Sequence, residues 1–306
     1  MLRILRGAML AVCAASSAGC LNELAVDTTA GIMAEAEGST RAYFDWESAG
    51  YAAPSGIMQL EGLHMVSPKN ERLALTLAKA YMAYAYGWVM DEYELADARA
   101  DFDTAKHHQL RAYWMYSRAR DIVLKVASER DPGLPALLTK EPKTLEAHLK
   151  EHWRDREDDL PVLFWLMMTW SSSVNNSPDI DSLIDMPMIR TLAARIAEID
   201  AGYEDAGALV FMGGFECSMP PEFGGNPKKG KEYFERALSL TQRKNHIVVL
   251  NYAVFCAVAL QDRGLYTSLL QEIEQAPDQG NAHRLSNKVA KRRAKRALAK
   301  TEELFP

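Results

Sequence analysis

The spacing of helix-ending residue pairs constrains the fold of this chain more than any other feature. Such pairs occur at Ser67-Pro68, Asp131-Pro132, Asp200-Ala201 and Thr241-Gln242. Their second members are 64, 69 and 41 residues apart. The first two intervals are close to twice the ~34 residues of a helical hairpin repeat, and the third is one unit plus a short insertion. The chain is therefore predicted to stack helical hairpins, because one hairpin cannot bury its own apolar face.

The clearest single helix follows the turn Gly224-Gly225-Asn226-Pro227. Proline suits the first turn of a helix, where its missing N–H is not needed. Apolar residues then recur on one helical face, namely Tyr233, Phe234, Ala237 and Leu238. Gly230 and Ala237 are small at points where a neighbouring helix must come close. Further upstream, Pro54 is expected to separate a short helix from the helix that follows it.

Composition supports an all-α class. The chain has 306 residues, of which 48% are apolar and 25% charged, with a net charge of −6. No run of strand-like alternation between turn pairs is present, so we predict an all-α fold, a compact α-solenoid of hairpin repeats. The mild acidity argues against nucleic acid as a partner.

The first residues have the features of a secretory signal. A basic start at Met1–Arg6 precedes a short apolar run and the small-residue site that ends in Cys20. The apolar run is too short to span a bilayer, which needs roughly 20 residues. Ala18-Gly19-Cys20 resembles a bacterial lipobox, which implies acylation of Cys20 and anchoring to a membrane. An ordinary cleavable signal is the alternative. We predict a signal peptide over 1–19 and one helical repeat domain over 20–306. By resemblance to lipoprotein sorting rules, Leu21 suggests the periplasmic side of the outer membrane, with the inner membrane left open.

Two cysteines remain in the mature chain, Cys217 and Cys256. Two thiols form no metal framework. Cys256 lies in an apolar run, where a small buried side chain is the expected role. A disulfide between the two is the alternative, and sequence cannot supply its geometry.

One motif is typical of metalloproteases. His148, Glu151 and His152 match the pattern H-x-x-E-H, in which two histidines share a helical face. The flanking residues are highly charged, whereas a zinc site needs a dry cavity, and no third ligand can be assigned. We therefore predict no metal, no cofactor and no enzymatic activity.

Two further groups are candidates for binding. Aromatic residues recur along helices, and they either belong to the core or form the walls of a ligand or partner cleft. The candidate cleft residues are Tyr81, Tyr84, Trp88, Tyr113, Trp165 and Trp170. Near the C-terminus lies a dense basic helix, whose candidate electrostatic surface comprises Arg284, Lys291, Arg292 and Arg293. Phosphate, an anionic membrane, an acidic partner and a solvated capping helix are all compatible with it.

The C-terminal third resembles a known family. The segment Met219-Pro220-Pro221-Glu222-Phe223, the run Tyr233–Leu238 and the ending Glu303-Leu304-Phe305 are similar to the TatT lipoproteins, the T-components of TRAP transporters. The pattern Asn281-x-x-Arg284-Leu285-x-Asn287 agrees. This resemblance implies a lipid-anchored, periplasmic protein of tetratricopeptide (TPR)-like hairpins. It also implies a homotrimer that holds the transporter's substrate-binding subunit, with apolar clefts for the ligand and no catalytic residues. A generic periplasmic TPR scaffold for envelope assembly is the alternative.

Overall fold

The computed structural model describes residues 25–278, 280 and 282–305. This part of the chain consists of helices joined by turns and contains no strand, which confirms the all-α prediction. The predicted signal peptide and Cys20 lie outside the described residues. Within that same part, no helix combines the length and the hydropathy that crossing a membrane would require.

The first half runs from α1 to α6. Helix α1 covers 25–35, and a wide π-helical turn at Ala85–Val89 joins α4 to α5. The other bounds are α2 Glu37–Arg41, α3 Trp46–Val66, α4 Glu71–Tyr84, α5 Met90–Asp97 and α6 Phe102–Arg130. Pro54 lies inside α3, so the expected break there is wrong.

The second half runs from α7 to α16. Its bounds are α7 Leu134–Leu137, α8 Pro142–His152, α9 Asp159–Asn175, α10 Met186–Asp200, α11 Tyr203–Ser218, α12 Pro227–Thr241, α13 His246–Asn251, α14 Arg263–Gln275, α15 Arg284–Ala299 and α16 Thr301–Leu304. Short 3-10 turns cover Ile180–Asp185 and Pro221–Phe223, and a second π-helical turn covers Tyr252–Ala257.

Polar side chains fix where several helices begin. The Asn226 side chain accepts a hydrogen bond from the Lys229 N–H, and Pro227 is the first helical residue, as the sequence indicated. Asp45 in the same way accepts from the N–H groups of Glu47 and Ser48 at the start of α3. Such caps satisfy backbone donors that the helix itself leaves free.

Neighbouring helices pack in chain order, and the last long helix then returns to the first ones. Helix α3 packs on α4, α4 and α5 on α6, α6 on α9, and α10 on both α9 and α11. Helix α15 contacts α13 and α14 and also reaches α2 and α3. Helix α15 therefore connects the first helices of the array to the last ones.

Helices α11 and α12 approach each other closely at Gly230, which is buried. A methyl group at position 230 would overlap the Cys217 sulfur and lie 2.9 Å from the carbonyl oxygen of Gly213. The predicted need for a small residue is thus confirmed. Cys217 and Cys256 form a disulfide at this point, with their Cα atoms 5.1 Å apart. The bridge links α11 to the π-helical turn at Tyr252–Ala257.

We expect Gly230→Ala to lower the free energy of unfolding by about 1–3 kcal/mol, the usual cost of overpacking. The added methyl group meets backbone and the disulfide, which cannot move aside cheaply. Urea unfolding measures the loss. Gly62→Ala is the matched control, because nothing lies within 4 Å of its added methyl group. That control should be neutral or stabilising by up to about 1 kcal/mol. Equal effects of both substitutions would contradict the packing argument.

Candidate functional site

A partly buried cluster of acids and arginines joins α15 to α5. The Asp91 carboxylate is 1% exposed and lies 2.7 Å from Arg292 and 2.6 Å from Arg296. Glu94 lies 2.5 Å from Arg296 and 3.1 Å from Arg293. Buried charges need such partners, since an isolated one is costly to remove from water. These contacts join residues about 200 positions apart.

Aromatic rings cover the outer side of this cluster. The Arg292 guanidinium lies 3.8 Å from the centre of the Trp46 ring, and Trp46 stacks on Trp88 at 5.7 Å. The two indoles also bond across the helices, since Trp46 Nε1 donates to the Gly87 carbonyl and Trp88 Nε1 donates to the Trp46 carbonyl. Trp46 is therefore fixed in position where α3, the π-helical turn at Ala85–Val89 and α15 meet.

An open cleft lies beside this junction, with a volume of about 660 Å³. Its wall contains two aromatic residues, four cations and three acids from three separate segments. These residues are Phe44, Asp45, Trp46, Glu47, Glu274, Lys288, Lys291, Arg292 and Lys295. We call it the basic cleft. Its size falls within the range of small-molecule sites.

The four cations predicted as an electrostatic surface are not equivalent. Lys291 and Arg292 line the basic cleft. Arg293 points inward, where its guanidinium packs 3.9 Å from the Tyr86 ring and donates to the Tyr86 carbonyl. Arg284 forms an ion pair with Asp278, and hydrogen bonds from Arg284 lower the pKa of Asp278 to about 2. Only part of the set therefore faces one site.

Three of the six candidate aromatic residues lie on α4 and on the π-helical turn that follows it. Tyr84 and Trp88 stack with ring centres 6.0 Å apart. The Tyr81 hydroxyl donates to Glu61, which also binds Arg118 through two hydrogen bonds. Burial, together with the Glu61 carboxylate, raises the pKa of Tyr81 to about 12. Tyr81 thus belongs to a polar network between α3, α4 and α6.

The other three lie apart from one another. Tyr113 is half-buried beside the exposed Trp114. Trp170 is buried and donates to Asp185, which places it in the core. Trp165 is half-buried below Lys79, and its Nε1 is buried with no hydrogen-bond partner among the described residues. Tyr84 with Trp88 is the only ring contact between members of the set in the described part of the chain.

A second open groove lies between α3 and α6, with a volume of about 490 Å³. Its wall is formed by Glu61, Gly62, His64, Met65, Pro68, Arg118, Asp121, Ile122 and Lys125. None of the six candidate aromatic residues lines this groove or the basic cleft. Burial lowers the pKa of His64, so this imidazole favours the neutral form.

The histidines of the H-x-x-E-H motif lie on α8 but have a structural environment. His148 Nε2 lies 2.6 Å from Asp131, whose carboxylate also accepts from the buried Trp153 indole. His152 and Glu151 are exposed. Within the described residues, no group of three or more His, Cys, Asp or Glu side chains could hold a metal ion. The motif therefore ties α8 to the end of α6.

Asp131→Asn should destabilise the protein at neutral pH. Burial would raise the pKa of Asp131, but hydrogen bonds from His148 and Trp153 outweigh it and lower that pKa. The carboxylate thus stabilises the fold above its unfolded pKa of about 3.9, and this contribution is lost as the pH falls through the folded value. We expect a loss of about 1–3 kcal/mol at pH 7 that narrows between pH 5 and pH 3.

Urea unfolding across that pH range measures the effect. The control is Asp121→Asn, which removes a carboxylate from a more exposed pair with Arg120. It should change stability by less than about 0.5 kcal/mol. A pH-independent difference between wild type and Asp131→Asn would contradict the ionic argument.

Comparison with protein families shows to which family the chain belongs. The family model described as TRAP transporter T-component matches residues 44–305, which is most of the chain and includes the basic cleft. The chain belongs to the TRAP transporter T-component family. It is therefore an accessory component of a TRAP transporter, and the resemblance read from the C-terminal motifs is confirmed. The family is one of transporter components and is not known for catalysis. A comparison with curated proteins gave no match.

The sequence did not indicate several important residues of this T-component. Asp91 and Glu94 lie in a stretch that reads only as acidic. Asp91 and Glu94 are three residues apart, and this spacing could have indicated them, because it places both carboxylates on the same face of a helix. Lys288 and Lys295 belong to the dense basic helix that the sequence indicated, but they were not among the four candidate cations. Nothing local indicates that Trp46 lies against that helix.

Proposed function

We propose that this T-component docks the substrate-binding subunit of its TRAP transporter and handles that subunit's ligand without catalysing a reaction. The observation that carries the proposal is the family match over residues 44–305. An acyl anchor on Cys20 would hold the protein on the periplasmic side of the outer membrane. The lipobox-like sequence supports that part of the proposal.

The docking face that we propose is the outer side of α3. Tyr51, Met58 and Met65 recur there every seven residues and are 86%, 76% and 80% exposed. Glu61 lies on the same helix but turns to Arg118 on α6, so its charge is already paired. Residues seven apart lie on the same side of a helix, so these three side chains form one exposed apolar stripe along α3. Exposed apolar patches of this kind are typical of interaction sites. The substrate-binding subunit is the occupant that family membership favours.

Co-purification with the TRAP substrate-binding subunit tests the docking role. The tagged chain should retain the subunit, and Met58→Glu should weaken retention by about tenfold or more, because the glutamate would be buried without a partner. Ile184→Glu is the matched control, since Ile184 is 82% exposed elsewhere. No retention by wild type would refute the docking role. Equal retention by Met58→Glu would refute the α3 face.

Fractionation tests the anchor. The wild-type chain should sediment with membranes, and Cys20→Ser should remain in the soluble fraction, because the acyl chains would be missing. Density separation of the membranes then distinguishes outer from inner membrane. Persistent membrane association of Cys20→Ser would contradict an anchor at Cys20.

We also propose a homotrimer, on the family resemblance. Sedimentation equilibrium of the purified chain should give a mass near three chains, and Met58→Glu should leave that mass unchanged if the α3 face is reserved for the partner. A trimer that dissociates in Met58→Glu would assign the face to a second copy instead.

A further inference from the structure

The start of α1 is attached to the turn between α3 and α4. The Asp27 carboxylate accepts hydrogen bonds from the Ser67 hydroxyl at 3.0 Å and from the Asn70 amide at 2.6 Å. Helix α1 begins at residue 25, so these bonds hold its first turn against the α3–α4 turn. The beginning of α1 and the end of α3 therefore lie at the same end of the molecule.

The position of Cys20 limits how far this end can lie from a membrane. Cys20 precedes the first residue of α1 by five positions. An extended chain covers at most about 3.6 Å per residue, so five residues span no more than about 18 Å, whatever their conformation. An acyl anchor at Cys20 would therefore keep the start of α1 within about 18 Å of the bilayer surface, with the α3–α4 turn beside it.

Apolar side chains are exposed at this end of α3. Met65 is 80% exposed and Val66 is 55% exposed, and Pro68 in the turn is exposed as well. Met65 ends the apolar stripe of the proposed docking face, whereas Val66 and Pro68 lie outside that stripe. Exposed apolar side chains gain free energy when they enter the boundary between the headgroups and the acyl chains of a bilayer.

The charges around the turn do not oppose contact with a bilayer. Three acids near the turn form ion pairs with arginines, namely Glu61, Glu71 and Asp121. Three cations and two acids near the turn form no ion pair within the described part of the chain, namely Lys69, Arg72, Lys125, Asp27 and Glu129. The remaining charge is thus not negative, and an anionic bilayer is not repelled at this turn.

We propose that the α3–α4 turn faces the bilayer, with Val66 and Pro68 at the headgroup boundary. The acyl chains on Cys20 supply the attachment, and the turn sets the orientation of the helical array on the surface. The docking stripe then begins near the bilayer at Met65 and extends along α3 to Tyr51, about 21 Å away. This inference rests on the anchor in the proposed function, and its test separates a missing anchor from a wrong orientation.

Fluorescent labelling of the acylated chain on vesicles tests the orientation. Val66→Cys introduces one free thiol for an environment-sensitive fluorophore, and the chain is reconstituted on vesicles of phosphatidylethanolamine and phosphatidylglycerol. The Cys217–Cys256 disulfide is buried and does not take the label. The matched control is Ala52→Cys, because Ala52 is exposed on the same helix about 21 Å from Val66. Circular dichroism checks that both labelled chains remain folded.

Nitroxide groups on the lipid headgroups should quench the label at position 66 several-fold more strongly than the label at position 52. Only the label at position 66 should also shift its emission to shorter wavelength. Equal quenching at both positions of vesicle-bound protein, or stronger quenching at position 52, would overturn the orientation and leave the anchor intact. A chain that does not sediment with the vesicles would refute the anchor and the orientation together.

Discussion

Asp91→Ala is expected to lower the free energy of unfolding by about 3 kcal/mol, the lower end of the cost of breaking a buried ion pair. The carboxylate is 1% exposed and holds both Arg292 and Arg296, so its removal leaves one acid, Glu94, for three guanidinium groups. The loss is due mainly to the positive charge left without a partner inside the protein. Equilibrium unfolding in urea measures it directly.

The contrast with a neighbouring acid makes this prediction specific. Asp97 follows on the same helix and pairs with Lys300 at 3.5 Å, but both side chains are well exposed. Asp97→Ala should therefore cost less than about 1 kcal/mol. A double-mutant cycle of Asp91 with Arg296 should also give a coupling energy above about 1 kcal/mol. If Asp91→Ala behaves like Asp97→Ala, the cluster does not hold α15 in place.

Reduction of the Cys217–Cys256 disulfide is expected to cost about 4 kcal/mol. The two cysteines are 39 residues apart in sequence, and the chain-entropy relation for a loop of that length gives this magnitude. Both residues are buried where α12 packs on α11, so the bridge should respond to reductant only after local opening. Urea unfolding with and without a phosphine reductant measures the difference.

The double variant Cys217→Ala/Cys256→Ala provides the control for the disulfide. Its stability should be independent of reductant and close to that of the reduced wild type, because free buried cysteines act as small apolar groups. A reductant effect that persists in this variant would have to arise elsewhere. A wild type that is insensitive to reductant would contradict the bridge.

Helices with strong local signals were predictable from sequence. The apolar run within α9 and the Asn226-Pro227 start of α12 both specify a helix by themselves, through burial and capping. Pro54 was misleading because a proline disfavours the interior of a helix, yet α3 continues through it. Packing of α3 on α4 and α15 therefore overrides the local preference.

The candidate site was less predictable, for a physical reason. Helical spacing tells which residues share a face, but it does not tell which element covers that face. Trp165 and Trp170 are five residues apart, and the first lies beside Lys79 while the second donates to Asp185. The pairing of α15 with Asp91 spans about 200 residues, and no local pattern encodes it. The disulfide between Cys217 and Cys256 likewise could not be assigned from sequence, because the pairing depends on the distance between the two Cα atoms, which is 5.1 Å.

The π-helical turn at Ala85–Val89 determines the rotational phase of the helix that follows it. Two of its carbonyls, those of Tyr86 and Gly87, accept side-chain donors from α15 and α3. One residue corresponds to about 100° of rotation in an α-helix. Deleting a single residue here would therefore turn Asp91 and Glu94 away from their arginines, even with every side chain of the cluster still present. The length of this turn, as much as its composition, determines where the two ends of the helical array meet.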